Sequence, residues 1–351
     1  MIGGDAMYWA AAPGVEGVSQ NVLDTHEQLM LTADEFCKYN EHLRMLGADA
    51  RAFREDWHVS EYTTAKLELQ GFTRLTNSTI GLVEDGAGKF VIVFVYTIDV
   101  DVDPLIQLSE YALSKDDKVK HKHTAGQSLV NKRGSKLQSG RMLMYGSKPN
   151  FGQNSAKGAN RRPHPSVYVP NGRIDSTLNG LVRNLASHCA TMEALATPPI
   201  SALRWHLANA HDSSGAHRMS GDCAAFSLSL TSSYVVQPHD DSGVANEFVL
   251  FANRTGDFPK GHEWMFVVAG CLLALPNTIR TGVMITLPGS NVYHGTLPTS
   301  STSTSLCHGN VGCALVTRKE FIEACIAQTA RGESTEVDSG PAHTASVLYN
   351  C

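Results

Sequence analysis

The chain contains 351 residues, of which 42% are apolar and 18% are charged, and its formal net charge is −5. This composition is typical of a soluble globular protein and allows one large domain or two small ones. It excludes a helical membrane protein, because no run approaches the roughly 18 apolar residues of a spanning helix. The first residues lack the regions of a signal peptide, and the eight cysteines form no C-x-x-C pair. We therefore expect reduced thiols in an intracellular protein.

Residues 1–114 are predicted to form helices and a hairpin that pack on a later core. Residues 18–56 carry apolar side chains at helical spacing, which predicts that they are helical. Two β-rich runs, Phe72–Val83 and Lys89–Val100, are joined by a Gly-containing turn and predict a hairpin.

Three aspartates, Asp99, Asp101 and Asp103, alternate with valines at the end of the second run. An extended chain would place the three carboxylates on one face. Such a face could bind a metal ion, although a solvated strand face is the more common arrangement. We interpret it as a solvated strand face.

Residues 115–165 are predicted to form an irregular basic insert. Its first 48 positions, 115–162, hold twelve Lys or Arg and two Asp, a balance of +10, so that the remainder carries −15. A concentrated positive segment predicts a polyanionic partner such as DNA, with Lys132, Arg133 and Lys136 as candidate phosphate contacts. The alternatives are a solvated loop and a nuclear-localisation segment.

Two helices are predicted after the insert. The first has an apolar stripe and ends before Pro198, and the second covers residues 200–211. His188 and His206 lie on or beside these helices, and we interpret both as structural histidines.

From Cys223 onward the sequence is rich in β-branched and aromatic residues. Short strands separated by turn signals predict an α+β protein whose core is a jelly-roll-like sandwich or barrel. This core, with its flanking helices, is assigned to residues 166–331, which end in an amphipathic helix over 318–331. Residues 332–351 are predicted to be a mobile tail.

The most informative functional pattern is the sequence YVVQPHDDSG. In it His239 and Asp241 are two residues apart, so an extended chain directs both side chains to one side while Asp240 faces away. A His and a carboxylate on one side, with a distant second His, make the facial triad of non-haem Fe(II) oxygenases. His294, which ends a second β-like run, is the candidate for that His. Surface histidines are the alternative interpretation.

Three stretches resemble the Fe(II)/2-oxoglutarate dioxygenase superfamily: YVVQPHDDSG, EWMFVVAGCLLALPNTIRTGVMITLPGSNVYHGT and GCALVTRKEF. Within that superfamily they look most similar to the ten-eleven-translocation and J-binding-protein (TET/JBP) oxygenases, over about residues 223–318. The resemblance implies a double-stranded β-helix, or cupin-like, core and oxidation of the 5-methyl group of pyrimidine bases in DNA. It also implies that His239, Asp241 and His294 bind iron.

The sequence departs from this superfamily at the co-substrate site. The superfamily places an Arg or Lys on the strand after the second His, where it pairs with the distal carboxylate of 2-oxoglutarate. Here that position falls near Val311 or Gly312, and Arg318, Arg280 and His308 are the other candidate donors. An algal branch that resembles the TET enzymes uses L-ascorbate and needs no such residue. Both co-substrates therefore stay open.

The sequence thus predicts an Fe(II)-dependent dioxygenase that modifies the methyl group of a modified base, 5-methylcytosine, in nuclear DNA. Asp240 and Ser242 are candidates for contacts to the base or the co-substrate, although a tight turn would use the same residue types. One alternative is a small-molecule or protein hydroxylase of the same superfamily. The other is a β-helix binding module without catalysis. The oligomeric state is not predicted.

Overall fold

The computed structural model describes part of the chain. The described residues are 17–51, 64–84, 90–116, 139–149, 163–165, 176–198, 201, 227–241, 246–254, 264–276, 278–288, 292–298 and 309–316. Among these residues, no helix is both long and apolar enough to cross a membrane.

Helices and strands are mixed along the chain, which confirms the predicted α+β class. The helices are α1 (Gln20–Thr25), α2 (Ala33–Arg51), α3 (Thr64–Leu69), α4 (Asp103–Asp116) and α5 (Ser176–Ala196). The first six strands are β1 (Glu27–Thr32), β2 (Thr73–Leu75), β3 (Thr79–Glu84), β4 (Phe90–Ile98), β5 (Ser139–Pro149) and β6 (Pro163–Pro165). The later strands are β7 (Ser227–His239), β8 (Asn246–Asn253), β9 (Trp264–Val268), β10 (Cys271–Ala274), β11 (Gly282–Pro288), β12 (His294–Pro298) and β13 (Asn310–Val316).

The strands from β7 to β13 are distributed over two antiparallel layers that share β7. The first layer has the order β4-β11-β8-β13-β7, and the second has the order β7-β12-β9-β10. The chain therefore returns repeatedly from one layer to the other, which is compatible with the jelly-roll-like core that the sequence predicts. The strands β1 and β3 extend the first layer beyond β4, and β2 extends the second beyond β10.

Apolar side chains fill the space between the layers and the spaces under the helices. The cluster between the layers includes Phe94, Tyr96, Phe251, Phe266 and Ile285. Helices α4 and α5 cover the outer face of the first layer through a second cluster, and α2 covers the second layer through a third. Each large side chain buried in this way stabilises the fold by roughly 1.5–3 kcal/mol relative to an exposed one.

Two predicted elements are confirmed. The strands β3 and β4 form the expected antiparallel hairpin, although Thr73–Leu75 in the predicted first arm form the separate strand β2, which pairs in parallel with β10. Helix α5 carries the expected apolar stripe, with Leu178 and Leu185 buried, and ends at Ala196 before Pro198.

The prediction of one helical region over residues 18–56 is wrong. Strand β1 lies between α1 and α2 and pairs in parallel with β3. Leu29 and Leu31, two residues apart, both face apolar neighbours. An edge of β3 was available for pairing, and the short alternation of the sequence fits this strand better than a helix. Residues 52–56 lie outside the described part.

The aspartates at the end of β4 do not form a strand face, which corrects that prediction. The strand stops at Ile98 because Asp99 adopts a positive φ of 56°. The Asp101 side chain then accepts the backbone N–H of Asp103, where α4 begins. Short acidic side chains commonly end a strand and start a helix in this way.

The insert is less irregular than predicted, because residues 139–149 form β5 and residues 163–165 form β6. Strand β5 pairs antiparallel with the first half of β7, from Gly146 opposite Ser227 to Ser139 opposite Val235. The exposed edge of β7 supplies the partner that this Gly- and Ser-rich segment needs to become a strand. The predicted helices at 200–211 and 318–331 and the tail at 332–351 lie outside the described residues, except for Ser201.

Candidate metal centre

The two predicted histidine ligands are direct neighbours across a pair of antiparallel strands. His239 is the last residue of β7 and His294 is the first residue of β12, and the two are register partners. Their ring centroids are 4.7 Å apart. The sequence predicted that His294 would end a strand. It begins one instead, because Val292 and Tyr293 belong to the preceding loop.

A β-bulge next to this pair sets the position of the two rings. The register shifts between the pair His294 and His239 and the pair Thr296 and Val236, so that β7 has one extra residue. A Cβ atom at Gly295 would lie only 2.9 Å from the Val236 carbonyl oxygen and 3.0 Å from the Pro238 nitrogen. These contacts are with backbone, which cannot move aside, so the close approach requires glycine at 295. Proline is tolerated at 238 because a bulge leaves its nitrogen without a ladder partner.

Both imidazoles are oriented by hydrogen bonds to the backbone two residues earlier. Nδ1 of His239 lies 2.9 Å from the Gln237 carbonyl oxygen, and Nδ1 of His294 lies 3.0 Å from the Val292 carbonyl oxygen. A carbonyl only accepts, so each Nδ1 carries the proton and each Nε2 keeps a lone pair. A backbone or carboxylate acceptor behind the ring is the usual support of a metal-binding histidine.

Asp241 completes a group of three donors. Its Oδ2 lies 3.7 Å from Nε2 of His239 and 3.7 Å from Nε2 of His294. All three ligand atoms lie within 4.8 Å of one another. Atoms that bind one ion at about 2.1 Å are at most about 4.2 Å apart, so these separations suit a shared ion after small side-chain movements. Two neutral imidazoles and one carboxylate are the donor set of a facial triad.

Burial keeps His294 in the form that binds metal. It lowers the pKa of His294 from 6.5 to about 4, with a further decrease from His239 and an opposing effect of the Asp241 charge. His294 is therefore neutral near pH 7. The Phe266 ring stacks against it at a centroid distance of 5.6 Å, and Phe251 lies next to Phe266. This apolar wall limits the access of water from the interior side, while His239 and Asp241 remain partly exposed.

Two polar residues at this site were not predicted from the sequence. Glu247, near the start of β8, is 2% exposed, and its Oε2 lies 3.7 Å from Nε2 of His294. Tyr234 is largely buried on β7, and burial followed by the charge of Asp241 raises the pKa of its hydroxyl above the ordinary value. The sequence could have indicated Glu247, because it is a charged residue at the start of the apolar run EFVLFA.

Of the other predicted site residues, Asp240 is near the centre and Arg280 is not. Asp240 is exposed and lies outside the group of three donors, as the alternation of side chains along an extended chain predicts. Arg280 lies in the turn before β11, where its backbone N–H bonds the Asn253 carbonyl and its guanidinium lies 3.7 Å from Asp103. The metal centre lies beside Glu247 near one end of strand β8, and Arg280 bonds Asn253 at the other end. The strand between Glu247 and Asn253 is about 20 Å long. The structure thus does not bring Arg280 to the metal centre.

The remaining candidates lie outside the described residues. They are Lys132, Arg133, Lys136, Ser242, His308 and Arg318.

The position expected for a carboxylate-binding Arg is closed. A Cβ atom at Gly312 would lie 2.7 Å and 2.9 Å from ring atoms of Phe251 and 2.9 Å from the Thr231 hydroxyl. The Phe251 ring therefore occupies the space that a longer side chain at 312 would need. The inner wall at this point is apolar.

Several solved structures of other proteins are similar to this chain. No family model and no curated protein matches the chain. A prolyl-4-hydroxylase from Pseudomonas putida is 11% identical, with a TM-score of 0.32, and the match covers 64% of this chain and 92% of that one. A protein from Shewanella oneidensis assigned as an oxygenase is 10% identical, with a TM-score of 0.30, and the match covers 83% and 90%. At this level of similarity, the two structures do not define the function of this chain.

The donor geometry predicts which substitutions remove metal binding. His239→Ala, Asp241→Asn and His294→Ala should each weaken Fe(II) binding at least about a hundredfold, equal to ~2.7 kcal/mol, because the His variants lose a ligand and the Asp variant loses the negative charge of one. Asp240→Asn makes the same charge change one residue away and should retain binding. Anaerobic titration calorimetry measures the affinities. Equal losses in Asp240→Asn and Asp241→Asn would contradict this assignment.

Acidification of the metal-free protein provides a separate check on His294. Its pKa is about 4 in the folded state against 6.5 ordinarily, so unfolding below pH 6.5 takes up a proton. The free energy of unfolding should decrease as the pH falls from 6.5 towards 4, by roughly 1 kcal/mol per pH unit from this residue. His294→Gln keeps an N–H for the Val292 carbonyl and should show a correspondingly weaker decrease. Denaturant unfolding across this pH range measures both, and identical slopes would exclude a buried neutral imidazole.

Proposed function

We propose that the chain is a non-haem Fe(II) oxygenase. The observation that carries the proposal is the group formed by His239, Asp241 and His294, in which two Nε2 lone pairs and one carboxylate lie within 4.8 Å. Three ligands on one side leave positions open for a co-substrate and O2. The return of successive strands between two layers supports a double-stranded β-helix as the scaffold. Iron bound here would supply the oxidising chemistry, while the protein positions the substrate and excludes water.

We further propose that the substrate is a methylated base in DNA, 5-methylcytosine, and that the basic insert holds the DNA. Strand β5 ties the insert to the barrel, with Ser139 opposite Val235, and Val235 is four residues from His239. Lys136 is three residues before Ser139. Seven residues of extended chain span about 24 Å. The chain length therefore limits the distance between Lys136 and His239 to about this value plus the gap between two paired strands. The excess of positive charge over 115–162 fits a phosphate backbone.

A methyl group inside a duplex cannot reach a centre recessed at the end of two strands. The base would have to leave the stack and enter the pocket. The partly exposed side of the site, formed by His239 and Asp241, is the side from which a base would approach. We propose that Asp240, which is exposed and adjacent in sequence to both ligands, contacts the base.

The apolar wall at Gly312 disfavours 2-oxoglutarate as the co-substrate. A 2-oxoglutarate carboxylate placed against Phe251 without a cation would be a buried unpaired charge, which costs several kcal/mol. Ascorbate spreads its charge over a ring and presents hydroxyl groups, so neutral donors and the metal could hold it. We therefore favour ascorbate over 2-oxoglutarate, with Arg318 and His308 as the residues that could reverse this preference.

The proposed activity is tested directly on methylated DNA. Protein reconstituted with Fe(II) should convert 5-methylcytosine when ascorbate is supplied, and mass spectrometry of the digested DNA should detect the modified nucleoside. Asp241→Asn protein should give none, and Asp34→Asn protein, which makes the same charge change at an exposed position of α2, serves as the control. Product with 2-oxoglutarate but not with ascorbate would overturn the co-substrate proposal. Metal binding without any modified nucleoside would favour a hydroxylase of small molecules or proteins, and absence of metal binding would favour a non-catalytic module.

The proposed role of the insert predicts a change in salt dependence. Replacing Lys132, Arg133 and Lys136 by Gln should weaken DNA binding about equally for all sequences. It should also reduce the slope of log affinity against log salt by roughly 0.9 for each lost phosphate contact. Fluorescence anisotropy over a range of salt concentrations measures the slope. Replacing Lys38, Arg44 and Arg74, which are on α2 and β2, removes the same charge and should leave the slope unchanged. An unchanged slope in the insert variant would show that these residues contact no phosphate.

A further inference from the structure

We propose that Glu247 is a second carboxylate of the metal centre, which strengthens ion binding and positions a water or hydroxyl group held beside His294. This inference rests on the metal site of the proposed function and adds a residue that the facial triad does not include.

The position of Glu247 is the first argument. It pairs with Leu287 of β11, and its side chain reaches the interior at the metal end of the barrel. Its Oε2 lies 3.7 Å from Nε2 of His294, which is the same distance that separates Asp241 Oδ2 from that nitrogen. Two carboxylates therefore face one imidazole nitrogen from β8 and from the end of β7.

The chemistry of the facing atoms is the second argument. The Nε2 atom of His294 carries a lone pair, since its Nδ1 proton is donated to the Val292 carbonyl. A carboxylate oxygen is also an acceptor. With Glu247 ionised, two acceptors would face each other in a site where Glu247 is 2% exposed, and they would repel one another. A divalent cation bound to Nε2 would attract both, and with Asp241 the two carboxylates would balance its charge.

Glu247 acts as a positioning residue and not as a fourth protein ligand. It lies outside the group of three whose ligand atoms are mutually within 4.8 Å. Its oxygen is instead placed to accept a hydrogen bond from a water or hydroxyl group at an open position next to His294. The class of ligand that fits this position therefore presents an O–H, whereas a second anionic group there would be repelled.

The experiment compares metal affinity in the metal-free protein after Glu247→Gln, a substitution that keeps the shape and removes the charge. Titration with Mn(II), followed by electron paramagnetic resonance, should give a dissociation constant 10- to 100-fold higher than in the wild type, the range typical of residues that support metal ligands. Co(II) should show altered d–d absorption bands. Glu193→Gln is the matched control, because Glu193 is an equally buried carboxylate on α5, outside the pocket. It should leave both readouts unchanged.

Two further measurements distinguish a purely structural role of Glu247 from the proposed role of its charge in metal binding. Thermal unfolding of the metal-free variant should show no loss of stability, since a buried charge has been removed. Glu247→Asp, which keeps the charge on a shorter side chain, should recover part of the affinity that Gln loses.

Each contrary outcome has a distinct meaning. An Mn(II) affinity of Glu247→Gln equal to that of the wild type would overturn this inference and leave the proposed function standing. Equal losses in the Gln and Asp variants, with destabilised metal-free protein, would also overturn it, because charge would not matter. Failure of the wild type to bind any divalent ion would overturn the metal centre and this inference together.

Discussion

The pairing of His294 with His239 across the bulge in β7 is the constraint on which the candidate site depends. It fixes two rings that lie 55 positions apart in sequence at a centroid distance of 4.7 Å. Backbone carbonyls orient both rings, so the direction of each Nε2 lone pair is set by the strands and not by the metal. Gly295 is needed for this pairing, because any side chain there would push β12 away from β7. A site organised before the ion arrives needs little rearrangement when it binds.

The surroundings of the pair explain how an oxidising centre could be contained. Phe266 and Phe251 form an apolar wall behind His294, and Glu247 adds a buried carboxyl group at the same place. A low dielectric strengthens the attraction between an ion and these carboxylates. The opposite side of the centre remains partly exposed at Asp241, and β5 pairs with β7 as far as Val235, four residues before His239. The scaffold thus presents one closed and one open side to the ion.

Sequence alone predicted the pair His239 and Asp241 and the class of the fold from local rules, whereas His294 was chosen because it follows a second β-like run and matches the family resemblance. Alternation along an extended chain was enough to place His239 and Asp241 together. It was not enough for Glu247, whose contact with His294 depends on how β8 and β12 meet across the barrel. The same limit explains β1, which became a strand because an edge of β3 was free, and β5, which needed the edge of β7. Arg280 was a candidate on charge alone, and only the strand register shows that it lies at the other end of β8.

The central claim is that one metal ion binds between His239, Asp241 and His294, and anomalous diffraction tests it most directly. Crystals soaked anaerobically with Fe(II) and measured at the iron absorption edge should show one strong peak. It should lie about 2.1 Å from both Nε2 atoms, a typical distance for nitrogen ligands of divalent ions, and at a similar distance from an Asp241 carboxylate oxygen. A soaked crystal without a peak between these residues, or with its peak at a different cluster, would contradict the account.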